Sequence, residues 1–222
     1  MAVTFLQLAP IRHQVAIAGR VTDAQTGQAL AGAQVVITAA PVEFTVKVQL
    51  RAKQNQIIWE TLMERLDRTQ TARDGHFHFI DLPIGQYTLT ASLPGAGSRY
   101  GTASVQENVA LSGTTGDPSK LKLATADIAL SPTTLAGQIT ITGTNQPVFL
   151  AKVQVQGSGE QVFSDARGRY LLTGLESGTR TVAISAQGYK TSNHIVQLSQ
   201  IGAEQQLNSA LEKEGQTQPS VR

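Results

Sequence analysis

An internal repeat constrains this chain's fold more than any other feature. Gly19, Leu30, Ala33, Val35 and Ile37 map onto Gly137, Val148, Ala151, Val153 and Val155 at a constant offset of 118 residues. Gly75, Phe77, Phe79, Leu82, Gly85, Tyr87 and Leu89 map onto Gly168, Tyr170, Leu172, Leu175, Gly178, Arg180 and Val182 at an offset of 93. Both runs are ungapped, so the chain holds two related units, and the difference between offsets places 25 extra residues in the first copy between Ile37 and Gly75.

Each copy alternates apolar with polar residues between turn residues spaced 8 to 15 positions apart, the pattern of short half-buried strands. Val15–Val21 runs into an Asp-to-Gly turn at 23–27, and Phe77–Phe79 and Tyr87–Ala91 flank the Pro/Gly loop 81–85. Each copy closes on a similar coda: Val109–Leu111 with Ala126–Leu130 in the first, Ile195–Leu198 with Leu207–Leu211 in the second. The expectation is an all-β chain: an N-terminal extension over 1–10, a sandwich over 11–132 with an insertion at about 41–70, a diverged sandwich over 133–212, and a polar tail over 213–222. The join at Ser131–Thr134 is only a few residues long, which predicts a restricted hinge. The loop Ser112–Lys120 and the tail are the segments expected to move.

The residues Gly19, Val21, Asp23, Thr26, Gly27, Leu30, Gly32, Ala33 and Val35, followed by Gly75, Phe77, Phe79, Leu82, Pro83, Gly85, Tyr87 and Leu89, resemble the carboxypeptidase regulatory-like domain family. The second copy keeps the family's turn in Asp165–Gly168 and its closing Gly188-Tyr189. It departs from the pattern at Arg180 and Glu176, where an aromatic residue and a proline are usual. The resemblance covers about 170 residues. It implies two tandem transthyretin-like, Ig-like Greek-key β-sandwiches, with Phe77, Phe79, Tyr87 and Leu89 facing the core. It implies no reaction, because such modules serve as accessory or adhesive units in many settings.

The residue inventory narrows the chemistry. The 222-residue chain has no cysteine, which removes thiolate nucleophiles, thiolate metal sites and disulfides. A net charge of +2 gives no footprint for nucleic acid. No stretch is apolar enough for a membrane helix, and the N-terminal residues lack the basic start and unbroken apolar run of a secretory signal, so a cytoplasmic protein is expected. The family's namesake enzyme builds its zinc site around H-x-x-E, but the third residues after the four histidines here are Ala16, Phe79, Asp81 and Gln197. The nucleophile-elbow, P-loop and dinucleotide glycine motifs are absent from the sequence. His76 and His78 share one strand face and could offer two imidazoles to an ion; alternatively, they occupy the solvent side while Phe77 and Phe79 face the core. No third ligand stands near them in sequence, so neither metal nor cofactor is expected.

The insertion carries the remaining information. Phe44–Leu50 alternates like a strand, hairpinned to Val35–Ile37 across 39–41. From Gln56 to Arg68 the spacing of Ile58, Leu62 and Leu66, with Trp59 and Met63 beside them, predicts a helix with Glu64 and Arg68 paired at i, i+4. Two readings stay open: the helix packs on its own sandwich, or Trp59, Leu62, Met63 and Leu66 dock a partner. The function expected is a non-catalytic connector or decoration subunit of a protein assembly, such as a phage-tail-like contractile injection particle. The alternative is a carbohydrate or surface-ligand binding module, although one Trp and four Tyr make a sparse aromatic platform.

Overall fold

A computed structural model describes residues 13–62, 65–112 and 121–215. The N-terminal extension, the interior of the loop after Ser112, the end of the tail, and Met63 and Glu64 with the pair expected of the latter lie outside the described residues.

The first copy contains β1 (Val15–Asp23), β2 (Gln34–Ala39), α1 (Val42–Asn55), β3 (Arg68–Gln70), β4 (His76–Ile80), β5 (Gly85–Ser92), β6 (Ala103–Leu111), β7 (Leu121–Lys122), β8 (Ala124–Thr125) and β9 (Ile128–Leu130). The second contains β10 (Thr134–Ile141), β11 (Lys152–Val155), β12 (Gln161–Phe163), β13 (Arg169–Thr173), β14 (Gly178–Ser185), β15 (Ser192–Leu198), β16 (Glu204–Gln206) and β17 (Ser209–Leu211). The offset of 93 carries β3, β4 and β5 onto β12, β13 and β14 end to end.

Each copy folds as a sandwich of two sheets. In the first copy β1 lies between antiparallel β4 and parallel β8, with β9 also on β1, and the facing sheet runs β3-β2-β5-β6-β7. In the second, β10 takes the same place between β13 and β16, with β17 also on β10, and the facing sheet runs β12-β11-β14-β15. The side-chain period of two sends one residue in two inward. Phe77 and Phe79 are buried with Tyr87 and Leu89, while His76, His78 and Ile80 are exposed. The core of the second sandwich draws on Leu135 and Ile139 from one sheet and Val153, Val155, Val182 and Ile184 from the other.

The two copies share small devices as well as strands. The Thr71 hydroxyl accepts the Ala33 N–H at 2.9 Å and donates to the Leu30 carbonyl at 2.6 Å. Ser164, at the equivalent position, accepts the Ala151 N–H at 2.9 Å and donates to the Val148 carbonyl at 2.7 Å. Both hydroxyl residues are buried and satisfy two backbone groups each.

The chain divides into two compact units. One comprises residues to Val21, Ala29–Ala91 and Ser104–Ile128; the other comprises Thr22–Gln28, Ser92–Ala103 and the residues from Ala129 onward. Within the second unit, the Asp23 Oδ1 accepts the N–H groups of Gln25 and Thr26, both at 2.8 Å, and the Tyr100 hydroxyl donates to Oδ2 at 2.7 Å. Partial burial pushes the Asp23 carboxyl up, but these donors together hold it below the ordinary range. In the same unit Arg99 donates to Glu160 Oε1 at 2.7 Å and to the Gly174 carbonyl at 2.6 Å.

The insertion differs from its expected form. Phe44–Leu50 is not a strand but lies inside helix α1, and the stretch expected to be a helix is a 3-10 turn over Gln56–Thr61 followed by extended Leu62. Among the described residues only Arg65 lies in a further pairing, with Arg68, ahead of β3. The helix wins over 42–55 because Phe44, Val48 and Ala52, four apart, form one inward stripe, with the Phe44 ring edge-on to Tyr87 at 5.7 Å. It ends where Gln56 adopts φ +42, a left-handed conformation that stops helical propagation.

Candidate functional site

An apolar sequence that alternates every second residue and folds as a helix has a direct consequence. Successive apolar residues sit 200° apart around a helix axis, so they point to opposite faces. Phe44 and Val48 therefore face the sandwich, while Val42 (79% exposed), Val46 and Leu50 face outward. Val46 and Leu50, with Leu82, Pro83 and Ile84 of the loop after β4, line an open groove of about 720 Å³ in the first unit. Its polar rim is Gln14, Glu43, Lys47 and Asp81. His13 Nδ1 and the Gln14 N–H both bond the Asp81 carboxylate, which holds it below the usual range. Glu43 also acts inward: burial first, and then the Glu43 charge, push the Tyr87 hydroxyl up to about 12.

The expected docking residues take different places. Trp59 is only 9% exposed, and its ring lies under the Arg65 guanidinium at 4.7 Å. Leu62 and Leu66 are half-buried, Ile58 is exposed beside Ile57 at 91%, and Met63 lies outside the described residues. The stripe Ile58–Leu62–Leu66 therefore does not form one face, because the segment is not a continuous helix. Trp59, Leu62 and Leu66 do come together, lining a second pocket of about 420 Å³ with Arg51, Arg65 and Arg68. Sequence spacing gave no sign of these arginines, although their concentration around the lone tryptophan is visible in the residues themselves.

His76 and His78 project from the exposed face of β4. His76 Nδ1 lies 3.1 Å from Asp74 Oδ2, and His78 borders the second pocket. Among the described residues no three His, Asp or Glu side chains gather as a metal site would need. A hydroxyl does meet an imidazole elsewhere, with His194 Nε2 at 2.9 Å from both Ser192 Oγ and Ser209 Oγ. No carboxylate among the described residues bonds that ring, so it lacks the orienting acid of a nucleophilic triad. Of the four tyrosines, Tyr189 is half-buried against the second core, and the other three are engaged elsewhere. Tyr87 and Tyr170 are buried, with their hydroxyls on the carbonyls of Pro83 and Leu207, and the Tyr100 hydroxyl is on Asp23. No helix among the described residues is long and apolar enough to cross a membrane.

Two repeated sandwiches, each with a helix-free second sheet except where the first copy is interrupted, define a tandem of β-sandwich modules. Family models match them in series: the carboxypeptidase regulatory-like domain over residues 16–116 and the CarboxypepD_reg-like domain over 135–221. The chain belongs to the carboxypeptidase regulatory-like domain family, in two tandem copies. Comparison with curated proteins returns no match. Among solved structures, the chain is similar to the shaft pilin SpaA of Lactobacillus rhamnosus GG, a double mutant, with 11% identity over 92% of this chain and 98% of that one and a TM-score of 0.42. It is similar to the Bacillus anthracis TIE protein with 14% identity over 90% of this chain and 34% of that one, at a TM-score of 0.36. It also matches a chain of a type II cohesin–X-dockerin complex from Acetivibrio cellulolyticus with 23% identity, over 34% of this chain and 51% of that one, at 0.28. The chain thus spans about half the length of the cohesin-complex chain and about a third of the TIE protein.

Proposed function

We propose that this protein is a non-catalytic connector or decoration subunit of a larger protein assembly, and that α1 is its docking element. The observation that carries this reading is the outward stripe Val42, Val46 and Leu50, which leaves large aliphatic side chains in water on a helix found in the first copy alone. The second copy joins the equivalent strands β11 and β12 with five residues, so the sandwich does not need the helix to close. Exposed apolar stripes of this kind on a soluble fold mark contact surfaces. The fold family supports the non-catalytic part of the reading.

The narrower proposal places the subunit in a particle built in the cytoplasm, of the phage-tail-like contractile kind. Tandem β-sandwich modules suit a structural part of such a particle. Replacing Val46 and Leu50 together by lysine tests the docking: partner proteins that co-purify with the wild type from the native source are lost, with the unfolding midpoint unchanged. Retention of the same partners would remove α1 from the interface. Mass spectrometry of purified contractile particles tests the narrower proposal, and finding the chain only outside them would end it.

A further inference from the structure

The 420 Å³ pocket of the first unit joins an apolar wall to a cationic rim. Trp59, Leu62 and Phe79 supply the wall, Arg51 and Arg68 supply the rim, and His78 also lines the pocket. No acidic side chain among the described residues lines it. Among the described residues, the two carboxylates nearby are both engaged by Arg65. Asp67 grips that guanidinium from two oxygens at 3.0 and 3.1 Å, and the exposed Glu60 reaches it at 3.4 Å. Arg65, whose side chain is 9% exposed, is thereby neutralised and held against Trp59.

Arg51 and Arg68 are different. The Arg51 guanidinium, toward the C-terminal end of α1, has no acidic partner among the described residues. Arg68 spends Nη2 on the carbonyls of Glu60 and Leu62, while its Nε is buried without a partner and its Nη1 takes none among the described residues. The Arg51 guanidinium, with Nη1 of Arg68, leaves donors beside a half-apolar hollow, which suits a planar anion carried on an apolar group, because a guanidinium presents paired N–H groups that match a carboxylate. The volume, at the lower end of the range for ligand sites, suits one such group.

We propose that this pocket binds a carboxylate joined to a single apolar or aromatic group, with the anion on Arg51 and Arg68 and the apolar group against Trp59 and Leu62. The site is separate from the outer stripe of α1, so it stands independently of the docking reading. Trp59 is the chain's one tryptophan, so its emission reports on the pocket directly. The whole chain is titrated with N-acetylphenylalanine, with N-acetylphenylalaninamide and with inorganic phosphate, followed by calorimetry and by Trp59 emission. The acid binds saturably, and the amide binds at least about tenfold more weakly, as the loss of a charge-assisted bond requires. Arg51→Gln lowers the affinity for the acid by about tenfold without moving the unfolding midpoint, since that side chain holds nothing in the described fold. Arg68→Lys, checked for folding by circular dichroism, weakens the acid but not the amide. A hexapeptide ending in phenylalanine separates the sources: tighter binding than the amino acid identifies a chain terminus, and equal binding identifies a free small acid. The proposal is overturned if the acid gives no saturable change by either readout, if the amide binds equally well, or if inorganic phosphate competes at the same concentration as the acid.

Discussion

Gly19 and Gly137 have the same neighbour problem in both copies. A Cβ on Gly19 would stand 1.9 Å from the Ala126 carbonyl oxygen, and one on Gly137 would stand 2.0 Å from that of Leu207. In each case the following backbone N–H, of Arg20 or Gln138, is capped by the next side chain along, Asp127 Oδ1 at 2.9 Å or Asn208 Oδ1 at 2.8 Å. Gly19→Ala or Gly137→Ala should cost about 3 kcal/mol, at the upper end of overpacking, because the clash is with backbone on both occasions; urea unfolding midpoints measure it. The glycines were legible as repeat positions, but not their role: they sit inside strands, where a parallel neighbour passes close. The Thr71 and Ser164 latch was hidden because the two residues differ in identity while sharing a hydroxyl. Glu160 was hidden for another reason, since its partner Arg99 lies far away in sequence with no motif to announce it. The Ser158 hydroxyl and the Arg99 guanidinium hold the Glu160 carboxyl down at about 2, against an ordinary 4.5. A folded value below the unfolded one means the stability is fully present above about pH 4.5 and is lost as the pH falls toward 2. Urea midpoints taken across that window should fall with pH for the wild type and fall less for Glu160→Gln.

Helix α1 shows how one string of residues satisfies two periods at once. Phe44, Val46, Val48 and Leu50 alternate as a strand would, yet Phe44, Val48 and Ala52 also recur at helical spacing, and nothing local chooses between them. Tertiary packing chooses: Phe44 is buried against Tyr87. Phe44→Ala should therefore destabilise the first unit by about 3–5 kcal/mol. Val46→Lys, on the opposite face, should stay within about 0.5 kcal/mol. Equal costs in thermal or urea unfolding would mean that both faces are packed and would remove the free stripe. The neighbouring Gln56–Arg68 segment failed the other way. Its helical spacing was real, but Gln56 breaks the helix, and Trp59 is buried beneath Arg65. Strands β3 to β5 and β12 to β14 were legible because each alternates cleanly and is bounded by turn residues.

At the scale of the molecule, duplication was fully readable, since the two offsets reproduce the strand correspondence end to end. The grouping of the chain into compact units was not. The second unit takes in Thr22–Gln28 and Ser92–Ala103, segments that precede the linker in sequence. No periodicity marks them, because their bonds, such as Tyr100 to Asp23 and Arg99 to Glu160, join residues far apart in sequence. A fragment beginning at Pro132 would lack both segments and should unfold at a lower urea concentration than the same residues in the whole chain. An identical midpoint would show that these loop bonds add nothing. The connection between β11 and β12 carries a different implication. It occupies the position where the first copy accepts residues 40–67, on strands paired in the same register. The fold thus offers the same socket twice and fills it once. On the proposal that α1 docks a partner, moving 40–67 into the second socket would relocate that docking without rebuilding either sandwich, making it a portable cassette.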